Sequence, residues 1–208
     1  MKTVRIIYLV PSDSHPRKEY KNAITKAIQH LQWWYKEQMG GISFILNDPI
    51  LEVLQTKHEA KWYAENPAGD YYLWFWNNVL ADSFTLTDAK FNDPNFVWVF
   101  YIDAENKIEQ YGGAGTNSIA VLPQHDLSGL IGESDEPISR WIGGLGHELG
   151  HAFGLPHPPM CEENPCCPEC QSLMYFGFYN YPETFLLSAE QDILNQSPFF
   201  NNEKYLNG

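Results

Sequence analysis

The order of apolar and polar residues predicts alternating strands and helices along the chain. Val4–Val10 is an apolar, β-branched run that is typical of a buried strand. In Glu19–Met39 the apolar residues recur at helical spacing, which predicts a long helix, and Gly40 and Gly41 then end it. The positions that form this apolar stripe are Ala23, Ala27, Ile28, Leu31, Trp34 and Tyr35.

Three further apolar runs predict strands, and one aromatic segment predicts a helix. The strands are Ile42–Leu46, Ile50–Leu54 and Phe96–Ile102. The segment Asp70–Phe84 favours a helix, with Asp70 as its capping residue. Strands and helices in this order favour an α/β fold, with a mixed sheet and covering helices.

The segment that begins at Pro137 predicts a helix with two different faces. Proline is favoured in the first turn of a helix, and the residues after it form one apolar stripe. At about 100° per residue, His147 and His151 lie nearly opposite that stripe. We therefore expect one side of the helix to be packed and the other to form the floor of a cleft. Glycines at 143, 144 and 146 indicate close packing of neighbouring backbone. The stripe consists of Ile138, Trp141, Ile142, Leu145 and Leu149.

The histidines of this helix begin a motif that indicates a metal site. His147 and His151 are four residues apart, so both imidazoles project from one face and can bind one ion. Gly154 can end the helix in a left-handed conformation, after which His157 can return as a third ligand. Three protein ligands leave one position open for water, as in catalytic zinc sites. Glu148 is placed to take the proton of the zinc-bound water as general base.

These residues resemble the motif of the metzincin zinc endopeptidases, His-Glu-x-x-His-x-x-Gly-x-x-His. Ser172–Tyr175 is similar to the metzincin turn whose methionine, here Met174, lies beneath the metal without binding it. The resemblance is specific over residues 138–178. It implies a twisted mixed sheet, an active-site helix at the cleft floor and a small C-terminal lobe. We expect a single catalytic domain, 1–208, with an upper lobe at about 1–154 and a lower lobe at about 155–208.

The resemblance also implies where a substrate binds. The strand Ser118–Leu122, which follows a glycine-rich connection, is expected to be the sheet edge above the zinc. A free edge offers N–H and C=O groups with which an extended polypeptide can pair. Some metzincins have a tyrosine ligand two residues after the turn methionine, but that position is Phe176 here. The remaining histidines show no ligand spacing and are expected to be ordinary surface or hydrogen-bonded residues: His15, His30, His58 and His125.

Composition narrows the classes of partner. A chain of 208 residues with 15% aromatic residues can bury a substantial core. Its net charge of −13 argues against nucleic acid and anionic membranes, which both favour basic surfaces. No apolar run is long enough to span a bilayer. The first apolar run, Ile6–Val10, is shorter than a usual signal core and is interpreted as strand. We expect a monomer that acts on polypeptides.

Four cysteines lie between the third histidine and the methionine turn, at 161, 166, 167 and 170. Two disulfides would stabilise this loop and indicate a secreted or otherwise extracytoplasmic protein. A bridge between neighbours Cys166 and Cys167 would strain the backbone, which leaves Cys161 paired with either of them and Cys170 with the other. There are two alternatives to disulfides. The four cysteines could bind a zinc ion as thiolates, or they could be four free thiols. A last helix is predicted to start at Ser188, where Gln191 three residues later suggests a capping box.

The sequence thus predicts a zinc-dependent endopeptidase that hydrolyses extended polypeptides. Zinc is expected at His147, His151 and His157, and Glu148 is expected to be the catalytic residue. The alternative is a zinc-bearing adhesion or toxin module that binds a partner without cleaving it. The intact Glu148 favours the enzyme.

Overall fold

One sheet is the centre of the computed structural model, which describes residues 2–107 and 112–200. Its strands are β1 (Thr3–Val10), β2 (Leu46–Gln55), β3 (Phe96–Ile102), β4 (Ala114–Thr116) and β5 (Ile119–Leu122). Their order is β2-β1-β3-β5-β4. All neighbouring pairs are parallel except β4 and β5, which are antiparallel. The predicted α/β fold with a mixed sheet is confirmed.

Helices cover both faces of the sheet. The α-helices of the described residues are α1 (Lys18–Gln38), α2 (Ala60–Glu65), α3 (Trp74–Leu86), α4 (Gln124–Leu130), α5 (Ile138–Ala152), α6 (Met160–Glu163) and α7 (Ser188–Gln196). The predicted long helix is α1, and its bounds differ by one residue at each end from those predicted. The helix predicted after Pro137 is α5. None of these helices is long and apolar enough to cross a bilayer.

Side chains alternate along β1 between two separate cores. Ile6 and Tyr8 belong to the core beneath α1 and α5, whereas Ile7 and Leu9 belong to the core beneath α3. A strand with both faces buried must be apolar at every position, which explains its uninterrupted hydrophobic run. The sheet therefore has an α5 face and an α3 face.

The first of two neighbouring predicted strands is wrong for most of its length. β2 runs from Leu46 to Gln55 and includes the predicted Ile50–Leu54, whereas only Leu46 of the predicted Ile42–Leu46 is strand. The register with β1 shifts between the pairs Val4–Leu46 and Ile6–Leu51. Such an irregularity accommodates extra residues, so the polar interruption between the two apolar runs does not end the strand.

The predicted edge strand was also wrong in its bounds and position. Asn117 and Ser118 both have positive φ, at 48° and 70°, and form the two-residue turn between β4 and β5. Positive φ at both positions is typical of a tight hairpin turn. Ser118 therefore lies in the turn, β5 lies inside the sheet, and β4 is the edge strand.

Two predicted helix starts differ in outcome. The Asp70 carboxylate accepts the Tyr72 N–H at 3.0 Å, at the start of a short 3₁₀ turn that leads into α3, so the predicted cap is confirmed. At α7 the cap is Leu187 rather than Ser188. The Glu190 carboxylate accepts the Leu187 N–H at 2.7 Å, and its other oxygen accepts the Ser172 hydroxyl at 3.1 Å. The Glu190 side chain therefore caps α7, whereas the prediction gave this role to Ser188 and Gln191.

Candidate metal centre

Close backbone packing fixes α5 in the molecule. A Cβ atom at Gly146 would lie 2.7 Å from a Leu31 methyl carbon of α1, and one at Gly150 would collide with the Met174 sulfur. The Tyr35 hydroxyl donates to the Gly146 carbonyl at 2.9 Å. The close packing predicted from the glycines of this helix is therefore present.

The end of α5 turns the chain toward the third histidine. Gly154 has a φ of 97°, in the left-handed region. The Gly154 N–H donates to the His151 carbonyl and the Leu155 N–H to the Gly150 carbonyl, both at 3.0 Å. These paired bonds are the Schellman ending of a helix, which favours glycine at this position.

The three histidines of the motif meet at one point. The Nε2 atom of His151 lies 3.1 Å from that of His147 and 3.0 Å from that of His157. The Nε2 atoms of His147 and His157 are 3.3 Å apart. His147 is buried, His151 is half-buried and His157 is exposed. The cluster therefore opens to solvent on the side of His157.

Backbone carbonyls orient two of these rings. The Nδ1 atom of His147 donates to the Leu173 carbonyl, and that of His151 donates to the Leu155 carbonyl, both at 2.8 Å. A neutral imidazole that donates from Nδ1 has a lone pair on Nε2. The Nε2 atoms of His147 and His151 therefore cannot donate to each other. Their lone pairs are therefore free to bind a shared cation.

The geometry fits zinc. Tetrahedral ligands at about 2.0–2.1 Å from the metal are roughly 3.3 Å from one another, which is close to the distances here. Burial lowers the pKa of His147 to about 3, and burial also lowers the pKa of His151. Both rings are thus neutral at physiological pH, as metal binding requires. The predicted zinc cofactor is supported by this donor set.

Glu148 is a residue of α5, and its side chain lies against the edge strand β4 and the residue before it. Burial raises its pKa to about 8, the negative charge of Asp126 adds to this effect, and the Gly115 N–H opposes it by hydrogen bonding. A Cβ atom at Gly113 would lie 2.7 Å from the Glu148 side chain, and one at Gly115 would collide with the Glu148 carbonyl. A nearby dication would favour the charged carboxylate. Glycines at 113 and 115 therefore allow β4 to lie directly against Glu148.

A polar pocket next to Glu148 contains two residues that the prediction missed. It has a volume of about 250 Å³ and is also lined by Asp126 and Arg140. Burial raises the pKa of Asp126 to about 7, although the positive charge of Arg140 opposes this. Among the described residues, the Asp126 Oδ2 atom has no hydrogen-bond partner, although His125 Nδ1 lies 3.2 Å away. Arg140 lies two helical turns before His147, so helical spacing alone places it on the same face.

The predicted methionine turn is present. The Tyr175 N–H donates to the Ser172 carbonyl at 3.1 Å, which closes a β-turn around Leu173 and Met174. Met174 is fully buried against α5, and the Leu173 carbonyl is the one that orients His147. The Tyr175 hydroxyl donates to the Cys161 carbonyl at 3.1 Å, and the Tyr175 ring packs edge-on against His157 with 5.7 Å between ring centroids.

The cysteine loop differs from the prediction. Cys161 and Cys170 form a disulfide with Cα atoms 5.6 Å apart, and Cys166 and Cys167 are free. Both predicted pairings joined Cys161 to one of its near neighbours and are wrong. The reason is local: Cys161 lies in α6 and Cys170 in a 3₁₀ turn, and both are buried against each other. The sequence did not show these two turns.

Two of the other histidines form hydrogen bonds with residues outside the histidine cluster. His30 Nδ1 is 2.6 Å from the Tyr181 hydroxyl, and His58 Nδ1 is 3.0 Å from Asp82. Neither these two residues nor His15 and His125 belong to a group in the described part of the chain that can hold a metal.

Comparison with known proteins shows the fold. No protein-family model matches the chain, and no curated protein matches it in sequence. Two solved structures of OgpA from Akkermansia muciniphila are similar at 20% identity, with TM-scores of 0.62 for the inactive enzyme with an O-glycopeptide and 0.63 for the wild type. Each match covers 96% of this chain but only 61% of the OgpA chain. Archaemetzincin from Methanopyrus kandleri matches at 17% identity, with a TM-score of 0.41, over 96% of this chain and 91% of its own. The likeness to OgpA therefore shows the fold of this chain.

Proposed function

We propose that this chain is a zinc-dependent endopeptidase that cleaves extended polypeptides. The observation that carries the proposal is the convergence of three imidazole Nε2 atoms within 3.3 Å of one another. His147, His151 and His157 would hold the ion. Zinc bound there would polarise the scissile carbonyl and lower the pKa of water.

We assign the role of proton carrier to Glu148. It adjoins His147 on the same helix, and it lines the polar pocket that also reaches His147. Its carboxylate would take a proton from the attacking water and pass it to the leaving nitrogen. Arg140 is held by aromatic rings, 4.3 Å from the Trp141 ring centroid and 5.1 Å from that of Phe178. Its charge can favour the ionised form of Glu148.

The edge strand β4 supports the choice of an extended substrate. Its outer side pairs with no strand among the described residues, so its backbone groups can pair with an added peptide. Glycines 113 and 115 keep this edge close to Glu148. A peptide that pairs with β4 would therefore pass beside the proton carrier.

Substitution of Glu148 tests the enzyme against the adhesion or toxin module. Glu148→Ala should retain zinc and fold but lose about 10²–10⁴ in turnover, because general acid–base catalysis contributes that much. The measurement is cleavage of a fluorogenic peptide library, with elemental analysis of zinc in both proteins. Near-normal cleavage by Glu148→Ala contradicts the role of Glu148. Zinc-loaded wild type that binds peptides but cleaves none supports the adhesion or toxin module.

A glycosylated peptide is a second candidate substrate. The observation that favours it is the polar pocket, which is lined by Arg140 and by Asp126, whose buried Oδ2 atom has no hydrogen-bond partner among the described residues. Hydroxyl groups can bond to both residues, and OgpA was solved with an O-glycopeptide. Matched peptides with and without an O-linked sugar distinguish the candidates. Equal cleavage of both forms counts against a sugar site.

We also propose an extracytoplasmic location and a monomeric state. The Cys161–Cys170 disulfide supports the location, because reducing compartments disfavour such bonds. Fractionation of the source cells and light scattering of purified protein test these two proposals.

A further inference from the structure

A second cavity lies on the α3 face of the sheet, next to the edge strand. It has a volume of about 390 Å³, within the range of roughly 300–1,000 Å³ that is typical of ligand sites. Its floor contains Trp76, Ile119 and Val121, which are buried. Its rim contains Tyr72, Leu73 and Phe91, which are exposed. Among the residues that the structure describes, no charged side chain lines this apolar cavity.

Side chains of β4 point alternately to the two faces of the sheet. Gly115 faces α5, because a Cβ atom there would collide with the Glu148 carbonyl. Ala114 and Thr116 therefore face the other way, and both line the apolar cavity.

The neighbouring strand independently assigns the same faces. Ala114 pairs with Val121, and Thr116 pairs with Ile119. Val121 and Ile119 belong to the α3-face core, whereas Ala120, opposite Gly115, belongs to the α5-face core. The pairing with β5 therefore also places Ala114 and Thr116 on the side of the cavity and Gly115 on the side of α5.

An added strand must follow the same pleat. A substrate residue opposite Gly115 projects toward α5, and its neighbours, opposite Ala114 and Thr116, project toward the α3 face. We propose that the apolar cavity binds a large apolar side chain of the substrate, one residue away from a side chain that faces α5. This inference rests on the proposed function, since it requires a peptide along β4.

The composition of the cavity determines the class of side chain. A charged group would lose its hydration there without gaining a partner of opposite charge. An aromatic or large aliphatic side chain would cover Trp76 and the exposed rim residues Leu73 and Phe91. The substrate is the chosen occupant because β4 itself forms one wall of the cavity.

Leu73→Asp tests the inference by placing a carboxylate on the rim. Leu73 is 49% exposed in the 3₁₀ turn that leads into α3, so the fold should be retained. The matched control is Leu86→Asp, because Leu86 is 39% exposed at the other end of α3 and does not line the cavity. The substrates are variants of one cleaved peptide with Phe, Ala, Lys or Asp at each position in turn.

Wild type should prefer Phe to Ala by about ten-fold or more in kcat/KM at one position, because burial of one large apolar side chain has effects of this size. Leu73→Asp should lose that preference and favour Lys at the same position, whereas Leu86→Asp should behave as wild type. Binding of the same peptides to zinc-loaded Glu148→Ala, measured by fluorescence anisotropy, gives a readout that does not need cleavage.

The outcomes separate the two proposals. Cleavage whose side-chain preference is the same in wild type and Leu73→Asp overturns the cavity assignment and leaves the endopeptidase intact. Peptide binding that depends on Leu73, without cleavage by wild type, overturns the endopeptidase and supports the cavity assignment. A change of oligomeric state in Leu73→Asp, with unchanged preference, assigns the cavity to a second copy of the chain and overturns the inference.

Discussion

Two clusters of side chains of the types that bind metals lie close together in the sequence and differ in what they can do. The histidine cluster consists of His147, His151 and His157, and the cysteine cluster consists of Cys161, Cys167 and Cys170. In each, the possible ligand atoms lie within 4.8 Å of one another. Backbone carbonyls orient two of the three histidine rings, whereas two of the cysteine sulfurs are joined in a disulfide.

The difference shows that proximity of donors is not sufficient for a metal site. In the histidine cluster, hydrogen bonds from Nδ1 leave the Nε2 lone pairs directed to one point. In the cysteine cluster, oxidation of Cys161 and Cys170 removes two thiolates, which are the forms that bind zinc. Cys167 alone retains a thiol, 2.9 Å from the Cys170 sulfur.

Removal of one histidine should have the largest effect on zinc binding and activity. His151→Ala leaves two ligands, and we expect zinc content to fall below about a tenth of that of wild type, with activity lost by more than about 10³-fold. His30→Ala is the control, since His30 bonds Tyr181 away from the cluster. Elemental analysis and peptide cleavage are the measurements. Full zinc content in His151→Ala would show that the ion binds elsewhere.

An indirect change at the end of α5 should have a smaller effect. Gly154→Ala puts a side chain at a φ of 97°, which should displace Leu155 and the carbonyl that orients His151. We expect zinc affinity to fall about 10–100-fold, as for other residues that orient metal ligands. The measurement is competition with a chelator of known affinity.

Gly40→Ala is the matched control for this change. Gly40 also has positive φ, 65°, and at both glycines the added Cβ atom meets no atom within 4 Å. Each substitution should therefore lower the free energy of unfolding by roughly 1–2 kcal/mol. Only Gly154→Ala should weaken zinc binding. Equal zinc affinities in the two variants would contradict the orienting role of the helix end.

Opening the disulfide should have the smallest effect on the metal. Cys161→Ser opens a loop with a sequence separation of 9 and should lower the free energy of unfolding by roughly 2–3 kcal/mol or less. Zinc content should stay near one per chain, because the histidine cluster is unchanged. In wild type, a thiol assay under denaturing, non-reducing conditions should find two free thiols. Four thiols, or a second zinc, would contradict the disulfide.

The sequence predicted those parts of the structure that depend on local patterns. The period of apolar residues predicted β1, α1, β3 and α5, since buried faces require it. The spacing of the histidines predicted their convergence, because helical geometry and a left-handed glycine determine it.

Features that depend on contacts between distant elements were either missed or predicted wrongly. Three residues, Ala114–Thr116, are too few to give a strand pattern, so the edge was assigned to Ser118–Leu122 instead. Asp126 has no spacing relation to the histidine motif, and only the packing of α4 on α5 brings it near Glu148. The disulfide likewise depends on two short turns that no periodicity reveals.

The alternation along β4 determines where this protein tolerates redesign. Gly113 and Gly115 contact α5 so closely that any larger residue would separate the strand from the helix. Ala114 and Thr116 have no such constraint, because they border an open cavity. A library that varies these two positions together with the exposed rim, and leaves the glycines untouched, would sample new specificities while the distance between substrate and Glu148 stays constant.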